Sequence, residues 1–173
     1  MRLPPRNETD LRKVIDAIYT LSERRWIVLA ASAVAASVTA TTSEEELATV
    51  RIPADSMGPN GVLRITTLWT YTNSANNKLL KVRFSGISGT AYMANTETTT
   101  AFRSDQRKIH NRGSRSSQGG GASGVTAFGT GTGAPVTSAV DTTVETTLSI
   151  TGQKASAGET LTLENYLVEL YAG

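Results

Sequence analysis

From residue 47 onward, apolar and polar residues alternate in short runs separated by turn-forming residues, the pattern of half-buried strands. Val62–Tyr71 is the longest uninterrupted run, and Leu63, Ile65, Thr67 and Trp69 fall on one face of it. Leu47–Ile52 alternates and stops at Pro53, and the cluster Asp55–Gly61 turns the chain. Asn73–Asn77 is a polar turn whose Asn73, Asn76 and Asn77 suit left-handed backbone geometry. Leu79–Phe84, bounded by Gly86 and Gly89, is another strand, and Gly61 and Gly86 relieve tight turns. Thr90–Phe102 and Arg107–Asn111 follow as strand candidates. Residues Gly113–Gly133 are glycine-dense and read as a long loop or pair of loops. Thr142–Thr151 alternates through Val144, Thr146, Leu148 and Ile150, and Thr160–Tyr171 through Leu161, Leu163, Tyr166, Val168 and Leu170. Trp69 and Tyr71 are expected on opposite faces, so that one of them reaches the core, and Glu164 and Glu169 are likewise expected on opposite sides. Strands of this number and spacing predict a mainly β fold, an antiparallel β-sandwich of jelly-roll type.

The first part of the chain is patterned differently. Pro4 and Pro5 hold the start extended, and Asn7 or Thr9 offers a helix cap. Leu11, Val14, Ile18 and Leu21 then recur at alternating spacings of three and four, with Ile15 and Ala17 broadening the stripe. This predicts a short N-terminal α-helix before the sandwich. Two heptads are marginal in isolation, so the helix must dock, on copies of itself, on a partner or on its own domain. Trp26–Thr42 is ambiguous between helix and strand, but the alternation of Val34–Val38 favours an extended chain. Arg24 and Arg25 ahead of this apolar run suggest a secretion signal, yet the polar stretch before them is long for one. The run is also too short and too rich in Ala and Ser to span a membrane. The expected organisation is a helical anchor over 1–25, an extended connector over 26–46 and a β-sandwich over 47–173.

Charge sharpens this division. The formal net charge is +2, and up to Arg25 there are 6 basic and 4 acidic residues, leaving 11 of each in the remainder. A balanced main domain lacks the concentrated basic field of a general nucleic-acid binder. Threonine is abundant at 26 residues, which suits a pleated surface hydrogen-bonding through hydroxyls. Cysteine is absent, which removes disulfides and thiolate chemistry.

Chemistry-bearing motifs are few. His110 is the single histidine, and one histidine without cysteine cannot build a typical zinc site. Ser104 and Asp105 lie near it in sequence, but no nucleophile-elbow pattern surrounds any serine. Gly119–Gly124 lacks the Gly-Lys-Ser/Thr ending of a phosphate cradle. No catalytic residue, metal site or cofactor is therefore expected. Arg103, Arg107, Lys108, Arg112 and Arg115 form the one basic cluster, suited to an acidic partner or an anionic glycan, or to guarding a strand edge against aggregation. Arg107, Arg112 and Arg115, with Phe128 in the glycine-rich segment, are the candidate partner contacts.

Several stretches resemble tailed-bacteriophage virion proteins of the small tail-fibre or head-fibre kind. They are Ile52–Ile65, Leu68–Lys78, Leu80–Gly86 and Leu161–Leu170, with Asn7–Leu21 resembling the start of fibre proteins that plug into a particle. The resemblance implies a virion subunit without settling which part of the virion; the expectation adopted is a non-enzymatic subunit on the tail rather than the capsid surface, with tail or connector proteins as partners. Leu11, Val14, Ile18 and Leu21 would be its anchoring and oligomerisation face. The short seam and small neutral sandwich lead to an expected homotrimer. A head fibre or decoration protein, or a receptor-binding carbohydrate module contacting a host surface glycan, are the alternatives. Neither nucleic-acid binding nor a membrane span is expected.

Overall fold

The computed structural model describes residues 12–13, 26–122, 124 and 133–173. The helix expected over the first 25 residues, with Leu11, Val14, Ile18 and Leu21, lies outside the described residues. So does Phe128.

The described chain forms eleven strands: β1 (Trp26–Ser32), β2 (Ala36–Ser37), β3 (Glu45–Ile52), β4 (Val62–Tyr71), β5 (Lys78–Phe84), β6 (Thr90–Glu97), β7 (Phe102–Asn111), β8 (Gln118–Gly120), β9 (Val136–Ser138), β10 (Thr146–Lys154) and β11 (Leu161–Tyr171). They build two antiparallel sheets. One runs β1-β11-β4-β7-β8-β9, with β2 also paired to β11, and the other runs β3-β10-β5-β6. The chain passes from one sheet to the other at most connections. Each sheet therefore mixes strands from early and late in the sequence.

β4 shows why the sandwich forms. Leu63, Ile65, Thr67, Trp69 and Tyr71 alternate inward with half-buried residues between them. Trp69 and Tyr71 are both buried, which corrects the expectation that they diverge: residues two apart on a strand share a face. Each also places its polar atom. The Trp69 indole N–H donates to Thr67 Oγ1 at 2.9 Å, and the Tyr71 hydroxyl meets Thr100 Oγ1 at 2.9 Å. The opposing sheet contributes Leu80, Val82, Phe84, Leu148 and Ile150 to the same core. Tyr92 meets Phe84 edge-on, with ring centres 6.4 Å apart.

Four further expectations are revised. The segment expected as a connector is extended, but Trp26–Ser32 is hydrogen-bonded into the sheet along β11. The strand expected over Thr90–Phe102 is two strands, because the chain changes sheets between Glu97 and Phe102. Within the expected loop Gly113–Gly133, Gln118–Gly120 is a strand paired on both sides. At the Asn73–Asn77 turn the asparagines do not adopt positive φ, a geometry found instead at Asp55, Ser85 and Gly86.

β11 carries a bulge. Leu163 pairs with Trp69 and Asn165 with Leu68, so Glu164 is the extra residue. One inserted residue flips the parity of everything beyond it. Leu163 and Val168 consequently both face inward, and Glu164 and Glu169 stand on the same outer face, not on opposite ones. Glu164 accepts a hydrogen bond from Thr70, and Glu169 accepts two from Arg64.

Candidate functional site

Alternation along β7 sorts the basic cluster into two populations. Asp105, Arg107, Ile109 and Asn111 point inward and are buried, while Gln106, Lys108 and His110 point outward. The inward group neutralises itself. Arg103 bonds Asp105 at 3.0 Å and Glu97 at 2.5 Å, and Arg107 bonds the same Asp105 oxygen at 3.1 Å. Asn95 donates to that oxygen at 2.8 Å. Burial pushes Arg107 below the ordinary arginine range, although the Asp105 charge opposes this. Expected as a partner contact, Arg107 is thus an internal ion-pair residue, because its place in the alternation turns it toward the core. Arg115 pairs with Asp55 at the surface.

Lys108 and Arg112 remain exposed, and among the described residues neither forms an ion pair. They border a cleft of about 770 Å³ on the outer face of the seven-stranded sheet. Gln106, Arg107, Lys108 and His110 line one side, and Gly119–Gly121, Pro135 and Thr137 the other. The register explains the juxtaposition. His110 pairs with Gly119, and Gly119 pairs with Thr137, so one row of the sheet crosses the cleft. Arg112 follows β7 directly, and its stem lies across Gly119: a Cβ at Gly119 would stand 2.9 Å from Arg112 Cδ. Among the described residues no carboxylate lines the cleft. On the same sheet face Glu169 is engaged by Arg64, at 2.7 and 2.8 Å. Partial burial and then the Lys108 charge lower the His110 pKa below the ordinary imidazole range, so its ring is neutral near neutral pH. It is therefore a neutral donor and acceptor beside two cations.

The cleft stands on a buried polar network. Gln118 Nε2 donates to Asn111 Oδ1 and Val140 O, both at 2.9 Å, while its Oε1 accepts from Val140 N at 2.9 Å and Ser138 Oγ at 3.0 Å. Asn111 in turn donates to Gly58 O at 2.8 Å and Met57 O at 3.1 Å. Tyr92 OH meets Ser138 Oγ at 2.8 Å. These bonds tie β7, β8 and β9 to the turn before β4 and fix the cleft's inner wall.

Of the sequence candidates, then, Arg112 and Arg107 line the cleft, Arg107 while ion-paired to Asp105, Arg115 is paired with Asp55, and Phe128 and the anchoring residues lie outside the described set. Gln106, Thr137 and Pro135 were missed. The shared face of Lys108 and His110 was readable from their spacing, but the pairing that brings Gly119 and Thr137 beside them was not.

The fold defines a two-sheet antiparallel β domain. No family model matches the chain, and no curated protein is detectably similar to it. Among solved structures it is similar to the infectious bursal disease virus Gx strain structure, at 13% identity and a TM-score of 0.36, covering 86% of this chain and 32% of that one. The chain thus spans about a third of that viral protein. It is also similar to the CBM2 module of the evolved Dit of Lactobacillus casei BL23 phage J-1, at 12% identity and a TM-score of 0.35, covering 70% and 68%. A third likeness is to the capsid of Helicobacter pylori bacteriophage KHP30, at 8% identity and a TM-score of 0.32, covering 86% and 94%. The neighbours thus include phage and viral capsid proteins, at low structural overlap.

Proposed function

We propose that this chain is a non-enzymatic structural subunit of a tailed-phage particle, a trimeric short tail fibre whose N-terminal segment anchors it and whose β domain is displayed outside. The observation that carries the reading is the strand order. Taking the eight principal strands, one sheet runs β1-β11-β4-β7 and the other β3-β10-β5-β6, an order that supports reading the domain as a jelly roll with two Greek keys. Jelly rolls recur as viral capsid and lectin domains. Fold alone does not fix function. The reading also draws on the resemblance of Ile52–Ile65, Leu68–Lys78 and Leu161–Leu170 to phage fibre subunits.

The trimer reading is supported by the edge of the larger sheet as the described residues form it. Among the described residues β1 pairs only with β11, and its Trp26, Ile27 and Val28 are 39%, 47% and 60% exposed. An apolar edge strand is a pairing surface that monomers normally guard with charge. The 25 residues that contain the expected seam lead directly into this strand.

Three measurements test the proposal. Light scattering on the full chain gives a trimer mass, and a monomer at micromolar concentration overturns that part. Replacing Ile18 and Leu21 together by Asp abolishes incorporation into particles while the β domain keeps its thermal transition. Normal incorporation of that double variant overturns the anchor, and labelled particles viewed by electron microscopy place the subunit on tail or head.

A further inference from the structure

We propose that the outer cleft between β7 and the β8–β9 ladder binds an acidic saccharide. A carboxylate or phosphate of the ligand sits between Lys108 and Arg112, and its hydroxyls meet Gln106, His110 and Thr137. This goes beyond the virion reading and does not depend on it.

Three features lead there. The first is charge. Lys108 and Arg112 border one concavity that no acid among the described residues lines, in a domain whose other described cations are largely paired. Two unneutralised cations beside one hollow create a local positive potential that draws an anion. The second is the neutral chemistry around them. Gln106 offers an amide, Thr137 a hydroxyl and His110 a neutral imidazole, a set that hydrogen-bonds alcohols as readily as carbonyls. A ligand matched to this wall carries many hydroxyls and few charges, which describes a sugar acid or sugar phosphate. The third is construction. Gly119 leaves room for the Arg112 stem to lie flat, and Gly120 packs without a side chain against Tyr92, so the wall is held by the core beneath it. About 770 Å³ falls within the range of small-ligand pockets, roughly 300–1,000 Å³. A nucleic acid would need a longer basic track than two cations, and the chain beyond Arg25 is charge-balanced.

The experiment is calorimetric titration of the full-length protein at low salt with four probes: an oligogalacturonate, a neutral oligosaccharide of equal length, inorganic phosphate and an oligoglutamate peptide. A sugar phosphate forms a fifth arm, separating phosphate from carboxylate as the preferred anion. The expected result is binding of the oligogalacturonate or the sugar phosphate, weakened by added salt, with the other three probes at least about tenfold weaker. The double variant Lys108→Gln/Arg112→Gln should lose about tenfold or more, since each removed cation gives up a charge-assisted hydrogen bond. Gly119→Val, which displaces the Arg112 stem without changing charge, should weaken binding in the same direction. Arg51→Gln, on the other sheet, should bind as the parent does. Thermal transitions of all variants confirm folding. Silence of both acidic sugars at millimolar concentration overturns the proposal. So does equal binding of the neutral sugar, the peptide or phosphate alone, or binding that the double variant leaves unchanged. Particle incorporation is read separately, so failure here leaves the virion reading where it stands.

Discussion

Arg64 stacks on Trp26, its guanidinium carbon 4.2 Å from the ring centre. Two hydrogen bonds to Glu169 fix the guanidinium in that position, and Tyr171 meets the Trp26 ring at a tilt with ring centres 5.9 Å apart. Among the described residues β1 lies at the sheet edge with one ladder, so this cluster is a main tether for its start. Cation–π contacts contribute about 0.5–2 kcal/mol, and aromatic pairs a similar amount. Trp26→Ala should therefore lower unfolding stability by about 1–3 kcal/mol. It should also raise hydrogen exchange at β1 amides well before the rest of the sheet responds. A uniform rise across both sheets would show that β1 has no separate opening step.

Glu44 joins the other sheet's outer face. Its carboxylate accepts from Lys81 Nζ at 2.6 Å, Arg83 Nε at 2.7 Å and Thr151 Oγ1 at 2.5 Å. Burial alone would raise its pKa, but the bonds from Arg83, Lys81 and Thr151 outweigh that and hold it at about 2, against an ordinary 4.5. A depressed carboxylate pKa contributes stability in full above the ordinary value and loses it as pH falls through the folded one. Glu44→Gln should cost about 2 kcal/mol at neutral pH. The gap between variant and parent should close as pH drops from 4.5 toward about 2. Urea titrations across that interval check it; a gap that persists unchanged at the acid end would mean the charge on Glu44 is not what stabilises.

Glycines 120 and 121 are neighbours with opposite expectations. A Cβ on Gly120 would stand 2.7 Å from Tyr92 Cδ1 and 2.9 Å from the Lys108 carbonyl oxygen, whereas one on Gly121 meets nothing within 4 Å among the described residues. The carbonyl belongs to the β7 backbone and cannot swing aside. Gly120→Ala should therefore destabilise by about 1–3 kcal/mol, the usual cost of overpacking. Gly121→Ala should lie within about 0.5 kcal/mol of the parent. Melting temperatures of the pair decide it, and equal shifts would contradict the packing described.

What the sequence disclosed and what it hid follow from the range of the interactions. Val62–Tyr71 was readable to both ends because alternation and turn residues are local signals. The inward turn of Tyr71 was equally local and was misjudged. The flip of Glu169 was not local: it depends on Glu164 bulging where β11 runs beside β4, a register set by pairing between residues about a hundred apart. β8 was hidden for a related reason. Gln118–Gly120 has no apolar periodicity and is a strand only because β7 and β9 pair with it. The cleft inherits this asymmetry, one wall legible on a strand and the other supplied by long-range pairing.

Gln118 acts as a surrogate strand partner for Val140, accepting from its N–H and donating to its carbonyl, both at 2.9 Å. The side chain is fully buried. Replacing it with Leu would leave both Val140 groups and Asn111 Oδ1 short of partners, at a cost of about 3 kcal/mol or more. Gln118→Glu is the more discriminating change. An ionised carboxylate there could still accept from Val140 N and Ser138 Oγ but could not donate to Val140 O or Asn111 Oδ1. Burial and the loss of donors would both favour the protonated acid, which keeps an O–H to donate. The folded pKa of the new group would therefore lie above its unfolded value of about 4.3. Its folded form is then most stable below that unfolded value and loses stability as pH rises to the folded pKa. Gln118→Glu should accordingly approach the parent in mild acid and fall behind it near neutrality, with the difference read from denaturant midpoints across the interval. A pH-independent deficit would mean that the lost contact, and not the buried charge, sets the cost.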